Sequence, residues 1–298
     1  MRRILVLRGG ALGDFIVTLP ALALLRQRWP DAQIELAGNA TAAQLARVRG
    51  LLDGVHSQHE ARWAALYGPD DLPAAFAAWL AEFDLVVNYW PDPDRTLARH
   101  FPRRTGQTFL SASALPAQSP AAAHYCEPLR ALGLATRDSF FRLAPLAAES
   151  ISTPPTLADT LVVHPGSGSP RKNWPIARWQ ALLACLPAPV AIVLGEAEME
   201  TWSDATVGQQ ATTWRNLPLE TLVARFAACR LFIGHDSGIS HLAAAAGAKC
   251  VLLFGPTDPA CWAPPTPEVE VLHSTAGLMA LTRETVQQAV TRAIADRR

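Results

Sequence analysis

Short apolar runs alternate with helical patterns along the whole chain. Ile4–Leu7 is an apolar run closed by Arg8 and two glycines. A helical stretch follows to about Trp29, with a kink or restart expected near Pro20. Gln33–Ala37 and Phe83–Tyr89 read as further strands, the second with Asn88, Tyr89 and Trp90 at its carboxyl end. Strand, glycine turn, helix and strand in that order predict βαβ units and a parallel sheet. The stretch from Pro145 to Pro155 is rich in Ala, Ser, Thr and Pro, lacks periodicity and reads as a linker.

Beyond it the alternation restarts. Strands are expected at Thr160–His164, Val190–Leu194, Leu231–Gly234 and Cys250–Phe254. Helices are expected at Trp174–Leu186, Leu219–Cys229, Gly238–Ala246 and Arg283–Ala295. The alanine-rich patches at 74–78, 121–123 and 243–246 fit helices better than low-complexity sequence. The expected fold class is therefore α/β, with two Rossmann-like doubly wound domains facing across a cleft. Residues 1–150 form the first and 151–298 the second, whose last helix is free to pack back on the first. In open parallel sheets, ligands bind outside the carboxyl ends of the strands.

Composition narrows the class. Half of the 298 residues are hydrophobic and 17% are charged, enough for a sizeable core and against disorder. Basic and acidic residues balance at 26 each, so a broad nucleic-acid-binding surface is not expected. The five cysteines are scattered and never form CxxC, which argues for a reducing compartment without a disulfide framework or zinc site. The opening Met1–Arg8 mimics a signal peptide, but its apolar core is too short, and a buried strand explains it better. No run approaches the roughly 18 apolar residues of a membrane span. A soluble, cytoplasmic protein is expected, with peripheral contact at the inner face of the cytoplasmic membrane allowed.

Three glycine- or serine-containing turns carry candidate chemistry. His235-Asp236-Ser237-Gly238 lies between a strand and a helix that opens at once. The first amides of a helix lack internal partners and favour anions, so Ser237 and Gly238 suit a phosphate. Asp236 would repel phosphate and is better suited to sugar hydroxyls. A helix N-cap at Asp236 or Ser237 explains the same residues equally well. His241, one turn into the helix, reads first as a packed histidine. The second turn runs from His164 to Pro175 and includes Gly166, Ser167 and Lys172. Backbone donors and one lysine suit a diphosphate, although a plain loop with solvated basic residues is the stronger reading by itself. The third, Arg8-Gly9-Gly10-Ala11-Leu12-Gly13-Asp14, departs from GxGxxG and supports a dinucleotide only weakly. Asp14 is either a helix cap or a general base for an acceptor hydroxyl. Asp92-Pro93-Asp94 has the spacing of a metal-binding DxD, but its prolines favour a solvated turn. Gly255-Pro256-Thr257-Asp258-Pro259 is a turn that could frame the nucleotide. Arg103 and Arg104, with Arg8 and Arg99, could meet an anionic acceptor, although a solvated surface is the default reading.

Taken in order, these motifs resemble glycosyltransferase family 9, the ADP-heptose:lipopolysaccharide heptosyltransferases. The resemblance runs through Arg8–Pro20, Arg104-Thr105-Gly106, His124-Tyr125 with Leu132-Gly133, His164–Pro175, Asp236–Ala245 and Gly255–Pro259. It implies a GT-B fold and metal-independent, inverting transfer from an ADP-activated heptose, with no cofactor besides the donor. It implies Asp14 as the base, and Lys172 with the amides near Ser237 and Gly238 on the diphosphate. Asp236 would hold the sugar, and Gly166, Ser167 and His241 would complete the donor site. An acidic ribose contact falls on Glu196 or Glu198. Arg8, Gly13, Asn88 and Arg104 would face an anionic glycan or glycolipid acceptor. A sugar-nucleotide epimerase or hydrolase, a non-catalytic nucleotide-sugar binder and a nicotinamide-dependent dehydrogenase are the competing readings.

Overall fold

The computed structural model describes residues 1–135, 139–147, 155–187, 189–199, 201–202 and 211–296. The chain divides into two compact units, Met1–Phe141 and Arg142–Arg298. Arg142 pairs with Glu268, and the Leu143 amide donates to the Ala245 carbonyl, so the segment after Phe141 belongs to the second unit. Most of the expected linker, residues 148–154, lies outside the described residues.

The first unit is a five-stranded sheet in the order β3-β2-β1-β4-β5. Its strands are β1 (Arg3–Arg8), β2 (Gln33–Gly38), β3 (Gly54–Ser57), β4 (Leu85–Asn88) and β5 (Thr108–Ser111). All neighbours pair in parallel. The second unit holds β6 (Leu161–His164), β7 (Val190–Leu194), β8 (Ala211–Arg215), β9 (Leu231–His235), β10 (Cys250–Phe254) and β11 (Val269–His273). Its order is β11-β10-β9-β6-β7-β8, again all parallel. Each order reverses direction between two central strands, β1 and β4 in one unit and β6 and β9 in the other. That is the doubly wound topology, and such a reversal opens a crevice at the carboxyl ends of the two strands.

Parallel strands covered by helices on both faces must be apolar throughout. The central strands obey this, with β4, β6, β7, β9 and β10 buried along their whole length. In the first unit Trp63, Phe76, Phe83, Trp90 and Phe101 pack beside Leu5, Leu7 and Val86. In the second, Trp174 and Trp179 join Leu161, Val163, Ile192, Leu231 and Leu253. The last helix, Arg283–Ala295, buries Val286, Ala289, Val290 and Ala293 in that same core.

Several boundaries differ from the periodicity. The first helix ends at Ile16 and a second begins at Leu19, with Pro20 in its first turn, where a missing amide costs nothing. The expected Trp174–Leu186 helix begins only at Ile176, after Pro175. The strands β3, β5, β8 and β11 have no counterpart in the apolar pattern, because each is only partly buried. The Asp92–Asp94 pair is a capping turn. Asp92 accepts from the Leu97 and Ala98 amides, and Asp94 from Thr96.

Gly38 marks the tightest approach between β1 and β2, since a Cβ there would lie 2.0 Å from the Arg8 carbonyl oxygen. Gly38→Ala must therefore push the strands apart beside Arg8. We expect a loss of about 1–3 kcal/mol, the usual cost of overpacking, read as a lower denaturant midpoint. An unchanged midpoint would show that β2 yields freely there.

Candidate active site

In the second unit the polar residues gather where β6 and β9 part. β9 delivers His235 and Asp236, and the helix Gly238–Ala246 starts two residues later. Ser237 is its N-cap, with the side chain accepting from the Ser240 amide at 3.2 Å. The amides of this first turn form the positive end of the helix.

Asp236 is almost fully buried, and a buried carboxylate needs compensating donors. Its Oδ2 accepts from Lys172 Nζ at 2.6 Å and from Thr257 Oγ1 at 2.7 Å. Its Oδ1 lies 4.0 Å from His241 Nε2, beyond hydrogen-bond range. The loops after β6, β9 and β10 thus meet on one carboxylate.

His235 has a different task. Its Nε2 accepts from the Trp174 amide at 2.8 Å, so the proton sits on Nδ1, 3.4 Å from the Gly166 carbonyl. Burial is the main cause that pushes its pKa down to about 3. A neutral imidazole therefore ties β9 to both ends of the loop carrying Lys172. His164 donates from Nδ1 to the Val193 carbonyl at 3.0 Å, and burial lowers its pKa against the opposing pull of Glu198. Ser167 Oγ lies 2.8 Å from the Ser169 carbonyl and 2.7 Å from the Asn173 side chain, bracing the same loop from inside.

The two glutamates after β7 separate. Glu196 is exposed, whereas Glu198 is buried and accepts from the Gly195 amide at 2.9 Å. Glu198 packs so closely on Gly166 that a Cβ there would fall 2.0 Å from its Oε1.

In the first unit the switch point between β1 and β4 carries Arg8 and Asn88. Arg8 is buried and has three partners. Its Nε donates to Thr18 Oγ1 at 3.0 Å, and one terminal nitrogen donates to Asp14 Oδ1 at 3.1 Å and to the Tyr125 hydroxyl at 2.9 Å. Its guanidinium carbon also sits 4.3 Å from the centre of the Tyr125 ring. Asp14 Oδ2 accepts from the Ala11 amide at 2.9 Å, so this carboxylate caps its helix and pairs with Arg8 at once. Gly13 lies in the same turn, its carbonyl accepting from the Val17 amide. Asn88 accepts from the Trp90 amide at 2.9 Å and reaches Ser111 Oγ at 3.3 Å, fixing the turn after β4.

Arg104 does not join this group. It donates to the Ala81 carbonyl at 2.8 Å and pairs with Asp84, whose carboxylate also takes the Arg2 and Arg3 amides. Those residues lie at or just before the starts of β1 and β4, so Arg104 sits at the amino edge of the sheet, opposite Arg8 and Asp14. Its task there is to tie strand starts together. Arg8 and Asn88 are likewise engaged inside the protein.

Tyr125, Thr18 and Thr257 hold the site residues yet were not singled out from the sequence. Thr18, Tyr125 and Thr257 fall inside the Arg8–Pro20, His124-Tyr125 and Gly255–Pro259 motifs, which are the available signal. Among the described residues, no group of three or more His, Cys, Asp or Glu side chains could hold a metal ion. A cavity of about 650 Å³ opens at the amino edge of the second sheet, between Asp159, Arg230, Lys249 and Glu268, away from these residues.

Two successive doubly wound units, each with its polar groups at a carboxyl edge, are the GT-B fold class. Residues 130–290 match the profile of glycosyltransferase family 9 (heptosyltransferase), over half of the chain, and the protein belongs to that family. No curated protein matches it in sequence. Among solved structures it is similar to a family 9 glycosyl transferase from Veillonella parvula, with a TM-score of 0.79 and 19% identity over 99% of this chain and 98% of that one. It is also similar to E. coli ADP-heptose LPS heptosyltransferase II, with a TM-score of 0.74 and 18% identity over 99% of both chains. E. coli heptosyltransferase WaaC with ADP gives 0.72 and 18% over 98% of this chain and 99% of that one. At these identities the likeness shows the shared fold.

The buried histidine makes the second unit sensitive to acid. Folded His235 stays neutral down to about pH 3, while an unfolded imidazole protonates near 6.5. Between these values the unfolded chain binds more protons, so stability falls as pH drops from about 6.5 toward 3. The limiting slope is about 1.4 kcal/mol per pH unit for one such group. His235→Gln should flatten the melting temperature against pH over that window, and a curve parallel to wild type would remove His235 as a contributor.

Proposed function

We propose that the protein transfers a heptose, or a closely related sugar, from an ADP-sugar to a hydroxyl of a lipopolysaccharide-core or other anionic glycan acceptor. In this reading the transfer inverts the anomeric centre and uses no metal. The observation that carries it is the Lys172–Asp236 pair at the amino end of the Gly238–Ala246 helix. One cation, free helix amides and one carboxylate together match a diphosphate joined to a polyhydroxylated sugar.

Lys172 and the amides around Ser237 and Gly238 hold the diphosphate. Asp236 takes a sugar hydroxyl, with His241 beside it. Glu198 serves the ribose in preference to Glu196, because it is the one buried beside Gly166 at the ends of β6 and β7. Attack at the anomeric carbon passes through an oxocarbenium-like state. Asp14 accepts the proton of the attacking hydroxyl, and general-base help is worth roughly 10²–10⁴-fold. The departing ADP gains negative charge, which Lys172 and the helix amides stabilise. Arg8 orients Asp14 through the 3.1 Å pairing, and Gly13 leaves the turn open beside it. Arg8 and Asn88 then act on the acceptor through the loops they hold, and Arg104 is withdrawn from the acceptor contacts. The protein works in the cytoplasm, with peripheral contact at the inner membrane where a glycolipid acceptor resides. No helix among the described residues is long and apolar enough to cross a membrane.

A ligand that binds only the folded state raises its apparent stability. ADP should therefore raise the melting temperature more than UDP, GDP or NAD, and Lys172→Ala should shrink that shift. Equal shifts for all four nucleotides, or an undiminished shift in the variant, would count against the donor assignment. Asp14→Ala should abolish sugar transfer, by at least about 10²-fold, while ADP affinity stays near wild type. Near-normal turnover would remove Asp14 as the base. Donor binding with no transfer in the wild type would instead favour a nucleotide-sugar binder.

A further inference from the structure

Asp236 Oδ2 has two donors of different character. Lys172 contributes a mobile ammonium on a flexible stem, one-third exposed, at 2.6 Å. Thr257 contributes a hydroxyl at 2.7 Å from a backbone held between Pro256 and Pro259. Asp258 stiffens that turn further by capping the next helix through the Ala260 amide at 2.9 Å.

A diphosphate carries more negative charge than one carboxylate, so it draws Lys172 toward itself. Asp236 then loses its cation while still buried. His241 Nε2, 4.0 Å from Oδ1, is too far away to replace it by a hydrogen bond. Thr257 is the donor that stays. A carboxylate turns through a broad torsion about its last bond, and one fixed hydrogen bond on Oδ2 sets its plane. Oδ1 is then left to accept from a ligand hydroxyl.

We propose that Thr257 is a positioning residue for the transferred sugar: it holds Asp236 in register when the diphosphate takes Lys172. The inference rests on the reading of Lys172 and Asp236 as donor ligands. It separates two parts of donor recognition. The nucleotide diphosphate does not depend on the Thr257 hydroxyl, and the glycosyl group does.

The test is calorimetric titration of ADP and of an ADP-heptose into wild type, Thr257→Val, Thr257→Ser, Asp236→Ala and the Thr257→Val/Asp236→Ala double variant. Valine keeps the shape and removes the hydroxyl, and serine restores it. Should valine prevent folding, Thr257→Ala carries the same comparison. Thr257→Val is expected to weaken ADP-heptose binding about tenfold, the scale of a hydrogen bond to a charged group, with ADP affinity unchanged. Thr257→Ser is expected to bind as wild type. In the Asp236→Ala background the valine substitution should have no further effect, because Thr257 acts only through Asp236. Three results overturn the inference alone: unchanged ADP-heptose affinity in Thr257→Val, an equal loss for ADP, or the same loss without Asp236. A wild-type protein that gains no affinity from the heptosyl group over ADP overturns the donor reading and the inference with it.

Discussion

Burial of parallel strands on both faces is the constraint from which the rest follows. β6, β7, β9 and β10 have no exposed face on which a polar group could stand. Polar chemistry is confined to the strand edges, and the order reversal between β6 and β9 leaves a gap at one of them. The same holds at β1 and β4. Lys172, Asp236 and Thr257 leave the carboxyl ends of three different strands, yet converge on one oxygen. Position relative to the sheet edge, more than residue type, separates Arg8 from Arg104. Both are arginines paired with an aspartate, but one pair lies at the carboxyl edge and the other at the amino edge.

Charge burial adds a second constraint. A carboxylate or guanidinium removed from water without partners would destabilise the fold by several kcal/mol or titrate instead. Arg8 meets this demand with Asp14, Thr18 and Tyr125, and Asp236 with Lys172 and Thr257. His235 meets it by staying neutral. His235 and His124 each have a defined tautomer, because a carbonyl faces one nitrogen and an amide faces the other. His124 and Tyr125, adjacent in sequence, hold the loop after β5 through the Ser113 and Ala114 carbonyls. Arg8 is thereby linked to that loop as well as to Asp14.

Much of this architecture was legible in the sequence, for a definite reason. Central strands are continuous apolar runs, so Ile4–Leu7, Val190–Leu194 and Cys250–Phe254 stand out. Edge strands are half-buried and mixed. Thr108–Ser111 holds only Phe109 and Leu110 between polar residues, too short an apolar run to mark a strand. The resemblance alone puts Arg104 with the acceptor, whereas its contacts are with Ala81 and Asp84. Once β5 is seen to start at Thr108, a residue just before it must lie at the amino edge. The motifs of the second unit are visible as strand-turn-helix junctions. Their convergence is not, because Lys172 and Asp236 lie 64 residues apart and meet only through the β6–β9 pairing. The Arg8–Tyr125 contact, 117 residues apart, was equally hidden.

Capping and chemistry, which looked like competing accounts of Asp14 and Ser237, draw on different lone pairs and different amides. An ionised carboxylate has about four acceptor sites. Asp14 gives one to the Ala11 amide and one to Arg8, and its side chain remains one-third exposed, so acceptor capacity is left over. Ser237 takes the Ser240 amide, which is the third of its helix. Capping there anchors the helix start without covering the amides that precede Ser240 in the turn. A helix end whose cap engages the third amide is both stable and still open to an anion. The cap residue at such a junction is therefore part of what keeps the site formed while it is empty. Asp236 extends the same logic to charge, since Lys172 balances it.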